Sequence, residues 1–195
     1  MPIHLILASA SPRRRDLLRS AGYSIELDPS GVDEPEPEPG TPIIPYVSHL
    51  ALSKGLAVAT RRGSGLILAA DTACAVGGEI LNKPIDRDDA ERMIRLQEGR
   101  ETEVVTGLCL LRPDRGEWVG AVETSLVYIR PLSDEERTAH LDDPVRWSGK
   151  AGAYGVQDDD PYVQVTSGSW SNVVGLPMER LAKLLAEYPG LTSVP

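Results

Sequence analysis

The chain has 195 residues, 41% apolar and 25% charged, a composition ordinary for a packed soluble protein with one domain over 1–195. Twenty basic residues against 29 acidic ones give a net charge of −9, which excludes a broad nucleic-acid-binding face and sits awkwardly with any polyanionic ligand. With 5% aromatics and no Phe, the core must come from Leu, Val, Ile and Ala.

The chain opens on Ile3 to Ala8, an apolar run suited to a buried strand, and lacks the basic and apolar pattern of a secretory signal. Ser11 as N-cap and Pro12 as first residue predict a helix with Leu17, Leu18 and Ala21 inward, closed by Gly22. Ser24 to Leu27 reads as a short strand. Asp28 to Gly40, rich in acids and prolines and without a base, reads as a solvated extended loop. A second helix is expected from Pro45, with Val47, Leu50, Ala51, Ala57 and Val58 at helical spacing. Lys54 falls on that same inward stripe.

Leu66 to Ala70 is a continuous apolar run that predicts a central strand, with Asp71 at its carboxyl end or just within it. Gly77-Gly78 predicts a hairpin. Asp86 caps an expected helix carrying Ala90, Met93, Ile94 and Gln97, stopped by Gly99. Glu103 to Leu111 and Val122 to Ile129 read as paired strands joined by a polar turn. Ser133-Asp134-Glu135-Glu136 is a capping box for a helix towards Leu141, and a loop follows around Trp147. Tyr162 to Thr166 alternates like a strand. A last helix begins near Met178 and ends at Pro189-Gly190. Short apolar runs alternating with amphipathic stretches argue for α/β or α+β architecture, and no stretch has the ~20 apolar residues a membrane span needs.

Several machines are absent: there is no P-loop, no G-x-G-x-x-G turn and no H-E-x-x-H. His4, His49 and His140 are isolated and read as surface or boundary residues. Cys74 and Cys109 lie in apolar runs with no zinc-ligand spacing, which suits buried thiols in a reducing, cytoplasmic setting. The strongest constellation is Ser9-Ala10-Ser11-Pro12-Arg13-Arg14, where a strand runs into a helix N-terminus. That geometry favours an anion, and two guanidiniums add bidentate phosphate recognition. A capped surface helix with solvated arginines explains the same spacing equally well. Asp71 reads as a turn former, a metal ligand or a base. A metal would need a second carboxylate, for which Asp33 and Glu34 compete with plain loop solvation. Lys54 and Lys83 are phosphate clamps or snorkelling lysines.

Taken together, Ser9 to Arg14, Ala70-Asp71-Thr72, Asn82-Lys83-Pro84, Lys150 to Gln157 and Asn172-Val173-Val174-Gly175-Leu176-Pro177 resemble the Maf family, in that family's order and over residues 3 to about 188. The resemblance implies an α/β fold like the Maf and inosine-triphosphatase group: an elongated mixed β-sheet flanked by helices, with a cleft between two lobes. It implies a nucleoside triphosphate pyrophosphatase, hydrolysing between the α- and β-phosphates with Mg²⁺ or Mn²⁺. By position, Asp71 matches the proton acceptor. Arg13, Thr72 and Gln157 match substrate-choice positions, and Ser9, Arg14, Glu34, Lys54 and Lys83 match other site residues. Glu34 and Asp71 are the expected metal ligands.

Within the family, Ser-Pro-Arg-Arg, Ala-Asp-Thr and Ala-Tyr-Gly-Val-Gln resemble the branch acting on dTTP and UTP, with modified pyrimidine nucleotides as further candidates. The branch acting on 7-methyl-GTP has Trp in place of Arg13 and Gln in place of Thr72. Gln157 can donate to and accept from the O4/N3–H edge of a pyrimidine. One departure is Asp158-Asp159-Asp160 after Gln157, where a glycine is usual. The alternatives are a 7-methyl-GTP pyrophosphatase and a nucleotide-binding regulator of septum formation without significant turnover. The family also implies a homodimer as a candidate assembly.

Overall fold

The computed structural model describes residues 3–156 and 161–192. The chain runs β1 (His4–Leu7), α1 (Pro12–Ser20), β2 (Ser24–Leu27), α2 (Ile43–Arg62), β3 (Ile67–Val76), β4 (Glu79–Leu81), α3 (Arg87–Gln97) and β5 (Arg100–Arg112). It continues through β6 (Glu117–Ile129), α4 (Asp134–Leu141), α5 (Pro144–Trp147), β7 (Val163–Ser167), α6 (Trp170–Val174), α7 (Met178–Glu187) and α8 (Pro189–Thr192). One mixed seven-stranded sheet has the order β2-β1-β3-β5-β6-β7, with β4 paired to β3. β1 is parallel to β2 and β3, and the remaining pairs are antiparallel.

Side-chain alternation along β3 and β5 builds both faces. Odd positions Ile67, Ala69, Cys109 and Leu111 meet Ala51 and Val58 of α2, which crosses that face. Close approach is possible because β5 has Gly107 beneath the helix, where a Cβ would lie 2.6 Å from the Val47 carbonyl oxygen. Even positions face the opposite way and divide between two cores. Leu68, Ala70, Leu108 and Leu110 pack with Leu18 of α1 and Leu181, Leu184 and Leu185 of α7. Cys74, Val76 and Val104 pack with Ala90, Met93 and Ile94 of α3 and Leu141 of α4. Thr72 and Thr106, paired across β3 and β5, fall between those two apolar cores. The sheet therefore carries two lobes on one face with a polar cleft between them.

The parallel strands leave a second opening. β1 pairs with β3 only at Ile67 and Leu68, while β4 pairs on the same side only from Cys74 onward. Across the intervening residues, which include Asp71 and Thr72, no described strand covers that edge of β3. The loop after β1 brings Ser9 to this gap, and the loop after β4 brings Lys83. Ligands of open α/β sheets bind at such breaks beyond strand ends.

Several expectations shift. β3 continues beyond the apolar run to Val76, so Asp71, expected at the strand's carboxyl end or just within it, lies mid-strand. α2 starts at Ile43, two residues before Pro45. The loop expected around Trp147 contains the short α5, α6 precedes α7, and α7 ends before Pro189-Gly190 as expected but is followed by the short α8. His140 is 1% exposed rather than a boundary residue, and its Nε2 lies 3.0 Å from the Ala153 carbonyl oxygen. Helical spacing from buried Arg137, three residues earlier on α4, places it inward. Among the described residues no helix is long and apolar enough to cross a membrane.

Candidate active site

A cavity of about 600 Å³ opens at the gap in the sheet, within the range of small-molecule sites. Ser9, Arg13, Arg14, Glu34, Lys54, Asp71, Thr72 and Lys83 all line it. Gln157 and Asp158 to Asp160 lie outside the described residues. Asp33, weighed beside Glu34 as a carboxylate donor, is exposed and does not line the cavity.

The charged end is built around Lys54. Its position on the inward stripe of α2 leaves the side chain 7% exposed, directed at the face of β3 that carries Asp71. Lys54 Nζ donates to Asp71 Oδ1 at 2.5 Å and to Glu34 Oε1 at 2.6 Å. Lys83 Nζ donates to the other Glu34 oxygen at 3.0 Å. Burial works to raise the Glu34 carboxyl, but the Lys54 and Lys83 ammoniums outweigh it and hold the group at about 2, against 4.5 ordinarily. The acidic segment is thus not a freely solvated loop. Tyr46 Oη donates to the Pro35 carbonyl at 2.9 Å, and Asn82 Nδ2 donates to Tyr46 Oη at 3.0 Å, pinning the residue next to Glu34. At the start of the loop, Asp28 is bound by Arg61 and Arg62.

Arg14, on the other sheet face, is buried and fully engaged in the scaffold. Its Nε donates to the Gly175 carbonyl at 2.8 Å, and its two terminal nitrogens to Ser9 Oγ at 3.0 Å and Thr72 Oγ1 at 3.1 Å. Gly175 presents that carbonyl at φ +117°, a backbone region that side-chain-bearing residues rarely adopt. Burial pulls the guanidinium's pKa down, opposed by Asp71 and Glu34. Thr72 Oγ1 lies 2.8 Å from Thr106 Oγ1, extending the polar chain across the sheet. Arg13 is half-buried and donates to the Gly149 carbonyl at 2.8 Å, reaching across the cavity from α1.

The other end of the cavity is apolar, lined by Val104, Val127, Ile129, Tyr154 and Val163, with Gln97 and Thr102 among them. Motif reading missed these two polar residues, together with Tyr46 and Thr106, while Asn82 fell inside Asn82-Lys83-Pro84 without being read as a site residue. A signal existed for Thr106, which interrupts the apolar part of β5. Burial pushes the Cys74 thiol, also on the cavity wall, up to about 12, so it stays protonated.

Among the described residues no group of three His, Cys, Asp or Glu side chains could hold a metal by itself. Glu34 and Asp71 nevertheless share one cation, the Lys54 ammonium, and hard carboxylate oxygens of this kind suit Mg²⁺ or Mn²⁺ when a ligand supplies more oxygens.

The chain matches the family model described as Maf-like protein over residues 4–188. It is 44% identical to a dTTP/UTP pyrophosphatase of Rhodopirellula baltica, over 96% of this chain and 83% of that protein. It is 43% identical to one of Paramagnetospirillum magneticum, over 93% and 95%. A third, of Bdellovibrio bacteriovorus, is 36% identical over 94% and 98%. The solved Staphylococcus aureus Ham1 protein shares 15% identity and a TM-score of 0.45 over 65% of this chain and 71% of that one, too distant to bear on the site.

Proposed function

The chain belongs to the Maf family, and from that premise we propose that it hydrolyses dTTP and UTP to the nucleoside monophosphate and pyrophosphate. The observation that carries this reading is the convergence of Asp71 with Lys54, Glu34 and Lys83 in one cavity that also has an apolar end. Such a cavity suits a ligand with a polyanionic tail and a flat, largely apolar head.

In this reading Asp71 accepts a proton from the water that attacks the α-phosphorus, and the bond to the bridging oxygen of the β-phosphate breaks. One nucleoside monophosphate, one pyrophosphate and one proton result from each triphosphate and water. Lys83 and Arg13 neutralise the phosphate chain and stabilise charge on the departing pyrophosphate, while Arg14 and Ser9 hold the strand–helix loop in shape. Lys54 holds Asp71 in its orientation through the bond to Oδ1. Glu34 and Asp71 are the residues that would hold Mg²⁺ or Mn²⁺. That ion would neutralise phosphate charge and polarise the phosphorus. Thr72 and Arg13 bear on substrate choice, as does Gln157.

One continuous sheet serves both lobes, which supports a single catalytic domain. Buried Cys74 and Cys109, neither in a disulfide, support a cytoplasmic setting. The test is pyrophosphate release from dTTP, UTP, CTP, dATP, GTP and 7-methyl-GTP, with Mg²⁺ and with Mn²⁺. Fastest turnover of dTTP and UTP is expected. Faster turnover of 7-methyl-GTP, or binding without release, would overturn the reading.

A further inference from the structure

The apolar end of the cavity contains a hydroxyl with nothing to bond. Thr102 is 1% exposed, and its Oγ1 has no hydrogen-bond partner among the described residues. Yet Thr102 lines the cavity, on the same sheet face as Val104 and opposite Val127 on β6. An unsatisfied buried hydroxyl destabilises the fold, and a valine of nearly the same shape would remove that penalty. Valine is what the neighbouring inward position 104 uses. A threonine here therefore points to a partner that arrives with the ligand. Rotation about χ1 exchanges its methyl and hydroxyl between staggered positions, so the oxygen can turn to the cavity.

Gln97 supplies the complementary group. It is 2% exposed, and its Nε2 donates to the Met93 carbonyl at 3.0 Å and the Gly152 carbonyl at 2.6 Å. Carbonyls only accept, so chemistry fixes which end of the amide is nitrogen, and Oε1 is left as an acceptor in a residue that lines the cavity. Gly152 leaves room for that oxygen, since a Cβ there would lie 3.0 Å from it.

We propose that Thr102 and Gln97 are specificity-determining residues that read the edge of the nucleobase, Gln97 Oε1 accepting from an imide N–H and Thr102 donating to a ring carbonyl. The assignment rests on the functional reading above. A 4-oxopyrimidine carries N3–H between two carbonyls, so both groups are satisfied at once, while Val104, Val127 and Ile129 cover the ring. The triphosphate then extends to the charged end at Lys54 and Lys83.

The experiment measures kcat and KM for dTTP, UTP and CTP, and Ki for inorganic tripolyphosphate, in wild type, Thr102→Val and Thr102→Ser. Thr102→Val should raise KM for dTTP and UTP about tenfold, with kcat within about twofold, because the lost bond serves ground and transition state alike. Its Ki for tripolyphosphate should be unchanged and its melting temperature equal or higher, and Thr102→Ser should restore KM. Wild type should handle N3-methyl-UTP about tenfold less well than UTP, as the methyl removes the hydrogen Gln97 would accept. Unchanged KM in Thr102→Val, or KM and tripolyphosphate Ki rising together, would overturn the assignment while leaving the pyrophosphatase reading intact. Wild type silent on dTTP and UTP would instead overturn that reading, and this one with it.

Discussion

Lys54 Nζ lies 2.5 Å from Asp71 Oδ1, and both side chains are only 7% exposed, so the two charges are held together away from water. The same ammonium binds Glu34, 20 residues earlier in the chain, and so bridges the two carboxylates. A buried pair contributes little over an apolar substitute, but breaking it leaves an uncompensated charge. The arrangement is better understood as positioning than as stabilisation.

Lys54→Met follows from this. Removing the ammonium leaves Asp71 buried without its partner, a loss of about 3–5 kcal/mol in folding stability. Added Mn²⁺ should recover more of that loss in the variant than it adds to wild type, since the two carboxylates are then open to the ion. Thermal melts with and without Mn²⁺, in the absence of nucleotide, check both parts. Equal Mn²⁺ shifts in the two proteins would show that Lys54 does not compete with a metal.

Asp71→Asn keeps the shape and can still accept from Lys54, but it is no longer a proton acceptor of useful basicity. Pyrophosphate release from dTTP should fall by about 10²–10⁴-fold, the contribution typical of a positioned general base. Circular dichroism should match wild type. Full activity in this variant would remove Asp71 from the role.

The site was legible in the sequence to the extent that each residue sat in a local pattern. Lys54 was visible because a charged residue fell on an apolar helical stripe, and Ser9 to Arg14 because a strand met a capped helix. What patterns could not supply was the break in pairing along β3, a product of β1 ending early and β4 starting late. That break lets a mid-strand aspartate face the cavity, where the sequence suggested the strand's carboxyl end or a position just within it. Thr102 and Gln97 were hidden for a related reason. Each looks like ordinary element filler until tertiary contacts show one hydroxyl without a partner and one amide with its nitrogen already engaged. The acidic loop misled in the other direction, since its composition argued for solvent while Lys54, Lys83 and Tyr46 tie it down.

The depressed Glu34 carboxyl gives a pH test with a defined sign. A group whose pKa is lower in the folded state stabilises the fold above its unfolded value, and that contribution disappears as pH falls through the folded one. For Glu34 the window runs from about 4.5 down to about 2. The stability gap between wild type and Glu34→Gln, read from urea midpoints, should therefore narrow between pH 6 and pH 3. A gap that stays constant or widens would contradict the pairing with Lys54 and Lys83.

Gly107 tests how the site depends on the sheet. It pairs with Asp71 across β3 and β5, and α2 presses on it through the Val47 backbone. Gly107→Ala puts a methyl 2.6 Å from a carbonyl oxygen that cannot rotate away, so α2 must lift. A loss of about 1–3 kcal/mol is expected, as for overpacked cores. Because Lys54 rides on α2, activity should fall beyond what the unfolded fraction explains, and kinetics at a temperature where the variant is fully folded would show it.

Arg13 and Arg14 are neighbours with the same charge, and the structure separates their roles. Arg14 directs three nitrogens at Gly175, Ser9 and Thr72, joining the loop after α6, the loop after β1 and the middle of β3. A lysine keeps the charge but has a point ammonium that cannot reach all three acceptors in their fixed geometry. Arg14→Lys should therefore lose about 2–3 kcal/mol, the loss expected when a buried network of charge-assisted bonds is left partly unmade. Arg13 is half-buried and reaches Gly149 across the cavity mouth, so Arg13→Lys should change stability by no more than about 0.5 kcal/mol. Its effect should appear instead as a higher KM for dTTP, since the fork that would hold phosphate is replaced by a single donor. Melting curves and KM measured side by side decide the matter. Matching stability losses in the two variants would mean that the guanidiniums share one structural task, and that neither is reserved for the substrate.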